Sequence, residues 1–181
     1  MLVETCILNS KIFNILKVVG YDYFFSEDGL MGQKRITIIA KNSKSITNFL
    51  KTNPKALVFI KPLSIDALKY AIINDKVSSI ILSSDNLHLF KKTMLSLIRQ
   101  YDKPVEVQLH NFNSFVLRKI ITWSYRWVMY PLFSSCANNF DEIWPPLAKI
   151  DLLVTHGADE EEAIKWIYFS PQKLISKDEH F

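Results

Sequence analysis

Glycine and cysteine are scarce in this chain of 181 residues, which contains four Gly and two Cys. Loops that cradle phosphate groups need several glycines, and neither G-x-G-x-x-G nor G-x-x-x-x-G-K-[ST] occurs in the sequence. The sequence therefore lacks the motifs that would indicate a nucleotide hydrolase or a dinucleotide-dependent oxidoreductase. Cys6 and Cys136 are too few for a disulfide framework, so we expect both to be reduced, buried side chains.

Long apolar runs are also missing. The longest candidate, residues 120–137, is interrupted by Arg126 and Pro131, whereas a membrane helix needs about 20 mostly apolar residues. The first six residues contain no basic stretch followed by an apolar one, so no secretory signal is evident. We therefore expect a soluble, cytoplasmic protein that makes no contact with a membrane.

Charge is divided unevenly along the chain. The formal net charge is +4, but residues 1–130 carry 18 basic and 9 acidic side chains, and residues 131–181 carry 4 and 9. Residues 29–65 alone contain seven Lys or Arg and no Asp or Glu. This pattern predicts a surface that faces a polyanion such as RNA. An equally good interpretation is a solvated surface whose lysines lack local partners.

Short apolar runs alternate with amphipathic segments along the chain, which is typical of a βα repeat. Strands are predicted at Val3–Leu8, Tyr21–Phe25, Arg35–Ala40, Ala56–Ile60, Ser79–Leu82, Val105–Leu109 and Tyr130–Phe133, with a weaker strand at Leu152–Thr155. Helices are predicted at Ile12–Val18, Ser45–Leu50, Asp66–Ile73, Leu87–Tyr101, Phe112–Met129, Phe140–Lys149 and Glu160–Phe169, with a last short helix through Lys177. Several strands are apolar at consecutive positions, as parallel strands covered on both faces are.

Seven or eight such units, spaced by about 20–25 residues, favour a closed (β/α)₈ barrel over an open doubly wound sheet, which remains the alternative. A typical barrel takes about 250 residues, so this chain predicts a trimmed α/β barrel in one domain over residues 1–181. Either the helices are short or one of them is missing, and a missing helix is expected between Phe25 and Arg35.

Two helix starts carry capping signals. Asn113 or Ser114 is placed to cap the helix at Phe112–Met129, whose basic residues lie outside its apolar stripe. Asp159 followed by Glu162 resembles a capping box, so we interpret the acidic run there as structural rather than catalytic.

No self-sufficient active site is apparent. The four histidines are isolated in sequence, although His110 and His156 are each predicted to follow a strand, where barrels place their sites. No G-x-S-x-G elbow surrounds any serine, and a Cys136–His156 nucleophilic pair is a conjecture. We predict no catalytic residue and no metal ligand.

An ordered set of motifs fills the C-terminal third: LFSSCA at Leu132–Ala137, DEIWPPL at Asp141–Leu147, THGADEEEA at Thr155–Ala163, and FSP at Phe169–Pro171. This pattern resembles ribonuclease P protein component 3, an archaeal and eukaryotic subunit with a TIM-like barrel related to PHP-type barrels. Upstream segments follow the same layout, so the resemblance covers most of the chain. The family usually has an Asp in its first strand, where this chain offers Glu4 or Thr5.

The resemblance implies a subunit, non-catalytic by itself, that supports removal of the 5′ leader from precursor tRNA by a catalytic RNA and its Mg²⁺. The chain itself would bind no cofactor. The implied partners are the ribonuclease P RNA, protein component 2, the other protein subunits and, as the substrate of the holoenzyme, precursor tRNA. The RNA-binding candidates are Lys41, Lys61, Arg118, Arg126, Ser134 and Ser135. The alternatives are a PHP-type metal-dependent phosphoesterase acting alone and a scaffold without RNA contact.

Overall fold

The computed structural model of the chain describes residues 1–53 and 56–175, in which seven strands alternate with helices. The strands are β1 (Val3–Ile7), β2 (Tyr23–Ser26), β3 (Gln33–Ala40), β4 (Leu57–Pro62), β5 (Val77–Ile81), β6 (Val105–Gln108) and β7 (Pro131–Ser134). The helices are α1 (Phe13–Val18), α2 (Ser43–Thr52), α3 (Ile65–Ile73), α4 (Lys92–Gln100), α5 (Ser114–Ser124), α6 (Pro146–Thr155), α7 (Glu160–Tyr168) and α8 (Gln172–Ile175).

The strands pair in chain order from β1 to β7, and every neighbouring pair is parallel. The sheet returns to its first strand through a parallel bridge between Ile7 and Ala137, where the Leu8 N–H donates to the Ala137 carbonyl at 2.9 Å. The predicted trimmed TIM-like barrel is therefore confirmed as a nearly closed barrel of seven strands. The alternative, an open doubly wound sheet, is wrong.

The weak strand predicted at Leu152–Thr155 is wrong, because these residues form the end of α6. The buried residues of this helix are Pro146, Lys149, Ile150 and Leu153, a spacing of three and four residues that belongs to a helix face. The helix predicted at Phe140–Lys149 is likewise replaced by a short 3₁₀ turn at Phe140–Glu142 and by α6, which begins at Pro146.

The helix between β2 and β3 is absent, as the sequence predicts, because residues 27–32 connect the two strands directly. Gly29 and Gly32 both have positive φ angles in this connection, 64° and 72°. A Cβ on Gly32 would lie 2.6 Å from the carbonyl oxygen of Phe24, so only glycine fits there. Without a helix, the irregular loop of residues 27–32 alone connects these two parallel neighbours.

Three apolar clusters hold the barrel together, and the smallest of them packs around Ile7 and Ala137 at the seam between β1 and β7. The largest one lies between the strands and the surrounding helices. A smaller cluster contains Val3, Phe25, Phe59 and Leu132 from the strands together with Leu174 of α8, which has no exposed surface. Because Val3 begins its strand, we place α8 across the amino-terminal end of the barrel. No helix of the described residues is long and apolar enough to cross a membrane.

The two predicted helix caps, at the start of α5 and at the start of α7, have different outcomes. Asn113 caps α5, as expected, by accepting hydrogen bonds from the N–H groups of Phe115 and Val116. The capping box predicted for α7 is wrong, because the Asp159 carboxylate makes no cap hydrogen bond and instead accepts one from the Tyr125 hydroxyl at 3.0 Å.

The prediction of two reduced cysteines is also wrong in this structure. Cys6 of β1 and Cys136, just after β7, form a disulfide with their Cα atoms 4.5 Å apart. Closure of the barrel places the first strand beside the end of the last one, and that proximity is invisible in a sequence separation of 130 residues. The disulfide thus spans the seam where an eighth strand would lie.

Candidate nucleic-acid interface and the charged barrel interior

A buried ion pair crosses the interior of the barrel between β3 and β6. Arg35 and Glu106 have no exposed surface, and two parallel hydrogen bonds of 2.8 and 3.0 Å join the guanidinium to the carboxylate. Nε donates to Glu27 at 3.0 Å, and the other two N–H groups bond to the Thr5 carbonyl and the Thr37 hydroxyl. All five donors of the guanidinium are therefore satisfied.

This pairing explains why a full charge is tolerated inside the barrel. Burial alone would lower the pKa of Arg35, but the carboxylates of Glu106 and Glu27 outweigh burial and raise it. The guanidinium carbon also lies 3.7 Å from the centre of the Phe59 ring. Arg35 is consequently a structural cation, and the expectation that the whole basic segment 29–65 faces a polyanion is wrong at this residue.

A second buried pair lies at the seam between β1 and β7. Glu4 precedes Thr5 in β1, so its side chain lies on the opposite face of the strand. Its carboxylate accepts hydrogen bonds from the Lys149 ammonium at 2.7 Å and from the N–H and hydroxyl of Ser135 at 3.0 and 2.6 Å. Burial lowers the pKa of Lys149, and the Glu4 carboxylate partly offsets this effect. We call Glu4, Ser135 and Lys149 the seam cluster.

The RNA-binding candidates are placed in different surroundings. Lys41 is exposed and directly follows β3, at the same edge of the barrel as Lys61 near the end of β4. The Lys61 ammonium forms an ion pair of 2.7 Å with Asp85. The structure therefore brings Lys41 and Lys61 to the carboxyl edge of adjacent strands, with Lys61 already paired.

Arg118 and Arg126 form a separate basic region on and just after α5, and both are exposed. Arg118 borders a surface groove of about 530 Å³ whose other walls include Thr122, Tyr125 and His156. The Arg126 guanidinium lies over the Trp127 ring, 4.6 Å from its centre. These two arginines are thus available at the surface.

Ser134 and Ser135 have no exposed surface. The Ser134 hydroxyl lies 3.5 Å from the Cys136 sulfur, and the Ser135 hydroxyl donates to Glu4 and accepts from the Trp144 N–H at 3.0 Å. Both serines therefore have partners inside the protein, and Ser135 belongs to the seam cluster.

The histidines do not gather into a site. His110 follows β6, as predicted, but His156 follows α6 rather than a strand and contacts the Leu152 carbonyl and the Ser114 hydroxyl. The conjectured nucleophilic pair lacks a free thiol, because Cys136 is bonded to Cys6. Within residues 1–53 and 56–175, no three His, Cys, Asp or Glu side chains are arranged to hold a metal ion.

The sequence reasoning missed the paired interior charges, of which Glu4, Arg35, Glu106 and Lys149 are buried and Glu27 is partly exposed. One signal was present, since Glu106 stands between two valines in a strand whose neighbours are apolar. A charged side chain in such a strand is tolerated only with a partner. The partner itself could not be named, because Arg35 is 71 positions away.

The fold and these clusters define a class: a nearly closed parallel α/β barrel whose interior charges are paired internally and whose exposed basic side chains include Lys41 at the carboxyl edge, Arg118 on α5 and Arg126 just after it. In fold it is similar to a chain of the solved structure described as a cryo-EM structure of archaeal ribonuclease P with mature tRNA. The TM-score is 0.77 at 15% sequence identity, over 97% of this chain and 91% of that chain. No protein-family model and no curated protein sequence matches the chain.

Proposed function

We propose that this chain is a protein subunit of ribonuclease P, equivalent to protein component 3, and that it supports 5′-leader removal from precursor tRNA. The observation that carries the proposal is the likeness in fold to an archaeal ribonuclease P chain over nearly the full length of both. The ordered motifs from Leu132 to Pro171 support it independently, because their resemblance to component 3 lies in the sequence and not in the fold.

The paired and the exposed charges suggest separate roles for the RNA and for this chain. The interior charges of this chain are bound to one another, so phosphodiester hydrolysis is assigned to the RNA and its Mg²⁺. The chain contributes exposed cations that neutralise phosphates, which releases counterions and makes binding depend on salt. We assign this role to Lys41, Arg118 and Arg126. Lys61 contributes less, because RNA has to compete with Asp85 for its ammonium.

The partners in this proposal are the ribonuclease P RNA, protein component 2 and the other protein subunits, in the cytoplasm. Precursor tRNA is the substrate of the assembled enzyme. No specific observation favours the phosphoesterase alternative.

Reconstitution tests the proposal. The catalytic RNA, component 2 and the other subunits are assembled with and without this chain, and cleavage of the 5′ leader is followed on a labelled precursor tRNA. The chain is expected to raise the rate, and a variant with Lys41→Ala and Arg118→Ala is expected to raise it less. Lys165→Ala is the matched control, because that lysine lies in the acidic part of the chain and pairs with Glu162 at 2.8 Å.

Two results would contradict the proposal. An unchanged rate on adding the chain would remove the subunit role, and metal-dependent hydrolysis of a model phosphoester by the chain alone would support the phosphoesterase instead. If the chain raises the rate but the double variant matches wild type, the chain is a scaffold without RNA contact at these residues.

A further inference from the structure

A small cavity opens at the carboxyl ends of β4, β5 and β6, lined in part by Lys61, Leu82 and Gln108. Its volume is about 230 Å³. Pockets for drug-sized ligands measure about 300–1,000 Å³, and one water in the liquid takes about 30 Å³. The cavity therefore fits a single planar ring system and is too small for a larger ligand.

The walls combine two aromatic rings, those of Phe112 and His110, with side-chain amides. Phe112 lies beside Gln108, Asn111 and Asn113, and all four border the cavity. Asn113 uses its carbonyl oxygen to cap α5, so its amide nitrogen is the group that remains to donate. An aromatic ring together with amides that donate and accept is the combination by which proteins stack and read unpaired RNA bases.

The charges at the cavity favour a base over a phosphate group. Lys61 borders the cavity, but its ammonium is neutralised by Asp85 at 2.7 Å. The hydrogen bond from Lys61 lowers the pKa of Asp85, so this carboxylate is ionised at neutral pH. The Lys61–Asp85 pair carries no net charge and so offers no net attraction to phosphate, whereas the Asp85 carboxylate can accept a hydrogen bond from the exocyclic amino group of a base.

A buried hydroxyl in the cavity lacks a partner. Ser83 borders the cavity, and its Oγ is the one buried side-chain polar atom without a hydrogen bond among residues 1–53 and 56–175. Buried polar groups are nearly always paired, so this hydroxyl is left with its hydrogen bond to make to a water molecule or to a group that enters the cavity. The loop is held in place, because the Asn86 side chain bonds to the Ser83 N–H and to the carbonyls of Pro62 and Ile81.

We infer that this cavity binds the base of one unpaired RNA nucleotide carrying an exocyclic amino group, stacked on Phe112 and bonded by the neighbouring amides. The inference rests on the proposed function, since it names a part of the RNA that the subunit would meet. Recognition of a splayed-out base would add sequence preference to the phosphate contacts made elsewhere on the surface.

The test is an NMR titration of the full, isotopically labelled chain with 5′-CMP, 5′-AMP, 5′-UMP, ribose 5-phosphate and inorganic phosphate. CMP and AMP are expected to shift the side-chain amide signals of Gln108, Asn111 and Asn113 more than UMP does. Phe112→Leu is expected to weaken CMP binding at least about fivefold, because stacking carries much of the affinity for a base. Phe115→Leu is the matched control, since that ring is exposed on α5.

Because Phe112 also packs edge-on against Trp144 at 6.0 Å, a second variant guards against misfolding. Asn111 has a φ of 56°, so Asn111→Gly keeps the backbone allowed while removing the amide, and it is expected to weaken CMP binding. Equal shifts with inorganic phosphate, or no shift at these amides with any nucleotide, would overturn the inference.

The result of the nucleotide titration can be distinguished from the result of the cleavage assay that tests the proposed function. Nucleotide binding is measured on the isolated chain, and leader cleavage is measured on the assembled enzyme. Cleavage that depends on the chain, without binding of CMP or AMP at this cavity, would overturn only the cavity. Binding of CMP and AMP with no effect of the chain on cleavage would support a base-binding cavity and remove the subunit role.

Discussion

Replacing Arg35 by Met is predicted to destabilise the barrel by about 3–5 kcal/mol, the usual cost of removing one partner of a buried ion pair. Methionine is similar in length but has no N–H donor. The carboxylate of Glu106, which has no exposed surface, would then keep only the Thr5 hydroxyl at 3.3 Å as a donor. Glu27 suffers less, because 21% of its side chain is exposed.

The size of this effect can be compared with the stability of a domain. A total of about 5–15 kcal/mol is usual, so the variant would lose a large part of it. In a domain of about this length, 1 kcal/mol shifts Tm by about 2–4 °C, which predicts a decrease of about 6–20 °C. The double variant Arg35→Met, Glu106→Leu removes both charges and is expected to recover most of the loss, because apolar replacement of a buried pair is often neutral or stabilising.

Urea unfolding followed by circular dichroism measures these free energies, with the exposed neighbour Lys34→Met as the control. Arg35→Met within about 1 kcal/mol of wild type would refute the reasoning, given the expected 3–5 kcal/mol. A double variant no more stable than the single one would also refute it, since the cost is attributed to the unpaired Glu106 carboxylate.

Three further variants have definite expectations. Hydrogen bonds from Ser10 outweigh burial and lower the pKa of Asp28, so the stabilisation that Asp28 gives is present above its ordinary pKa of about 4 and is lost as pH falls through the lowered pKa. In urea titrations, Asp28→Asn should therefore be less stable than wild type at pH 7, and the difference should shrink at acidic pH. A difference that stays constant with pH would contradict this expectation. Gly32→Ala should cost about 1–3 kcal/mol by the same assay, because its positive φ and the Phe24 carbonyl leave no room for a Cβ, and a neutral result would show that the turn relaxes. Lys41→Ala should reduce the salt dependence of RNA affinity by about one unit of slope, measured by filter binding, and an unchanged slope would remove it from the phosphate contacts.

The barrel was predictable from the sequence because each unit carries its own signal. Apolar runs such as Ala56–Ile60 mark covered strands, and the short gap between Phe25 and Arg35 leaves no room for a helix. The segment Leu152–Thr155 misled the prediction because its apolar, partly β-branched residues resemble a strand. Only the helical spacing that includes the buried Lys149 distinguishes it, and lysine is not read as a core residue.

The candidate site was predictable only in part. Exposed cations such as Lys41 and Arg118 can be found from charge and periodicity, since their exposure needs no specific partner. The pairs Arg35–Glu106 and Glu4–Lys149 join residues 71 and 145 positions apart, and closure of the barrel alone brings them together. The pairing of Lys61 could not be predicted for the same reason, because its partner Asp85 lies 24 residues away, in the loop that follows β5.

The most direct test of the proposed role is the Mg²⁺ dependence of leader removal from precursor tRNA by the catalytic RNA, component 2 and the other subunits, with and without this chain. A subunit that neutralises phosphates is expected to let the RNA work with less Mg²⁺, so the Mg²⁺ concentration at half-maximal rate should fall when the chain is added. An identical Mg²⁺ dependence and an identical maximal rate with and without the chain would contradict the assignment to ribonuclease P.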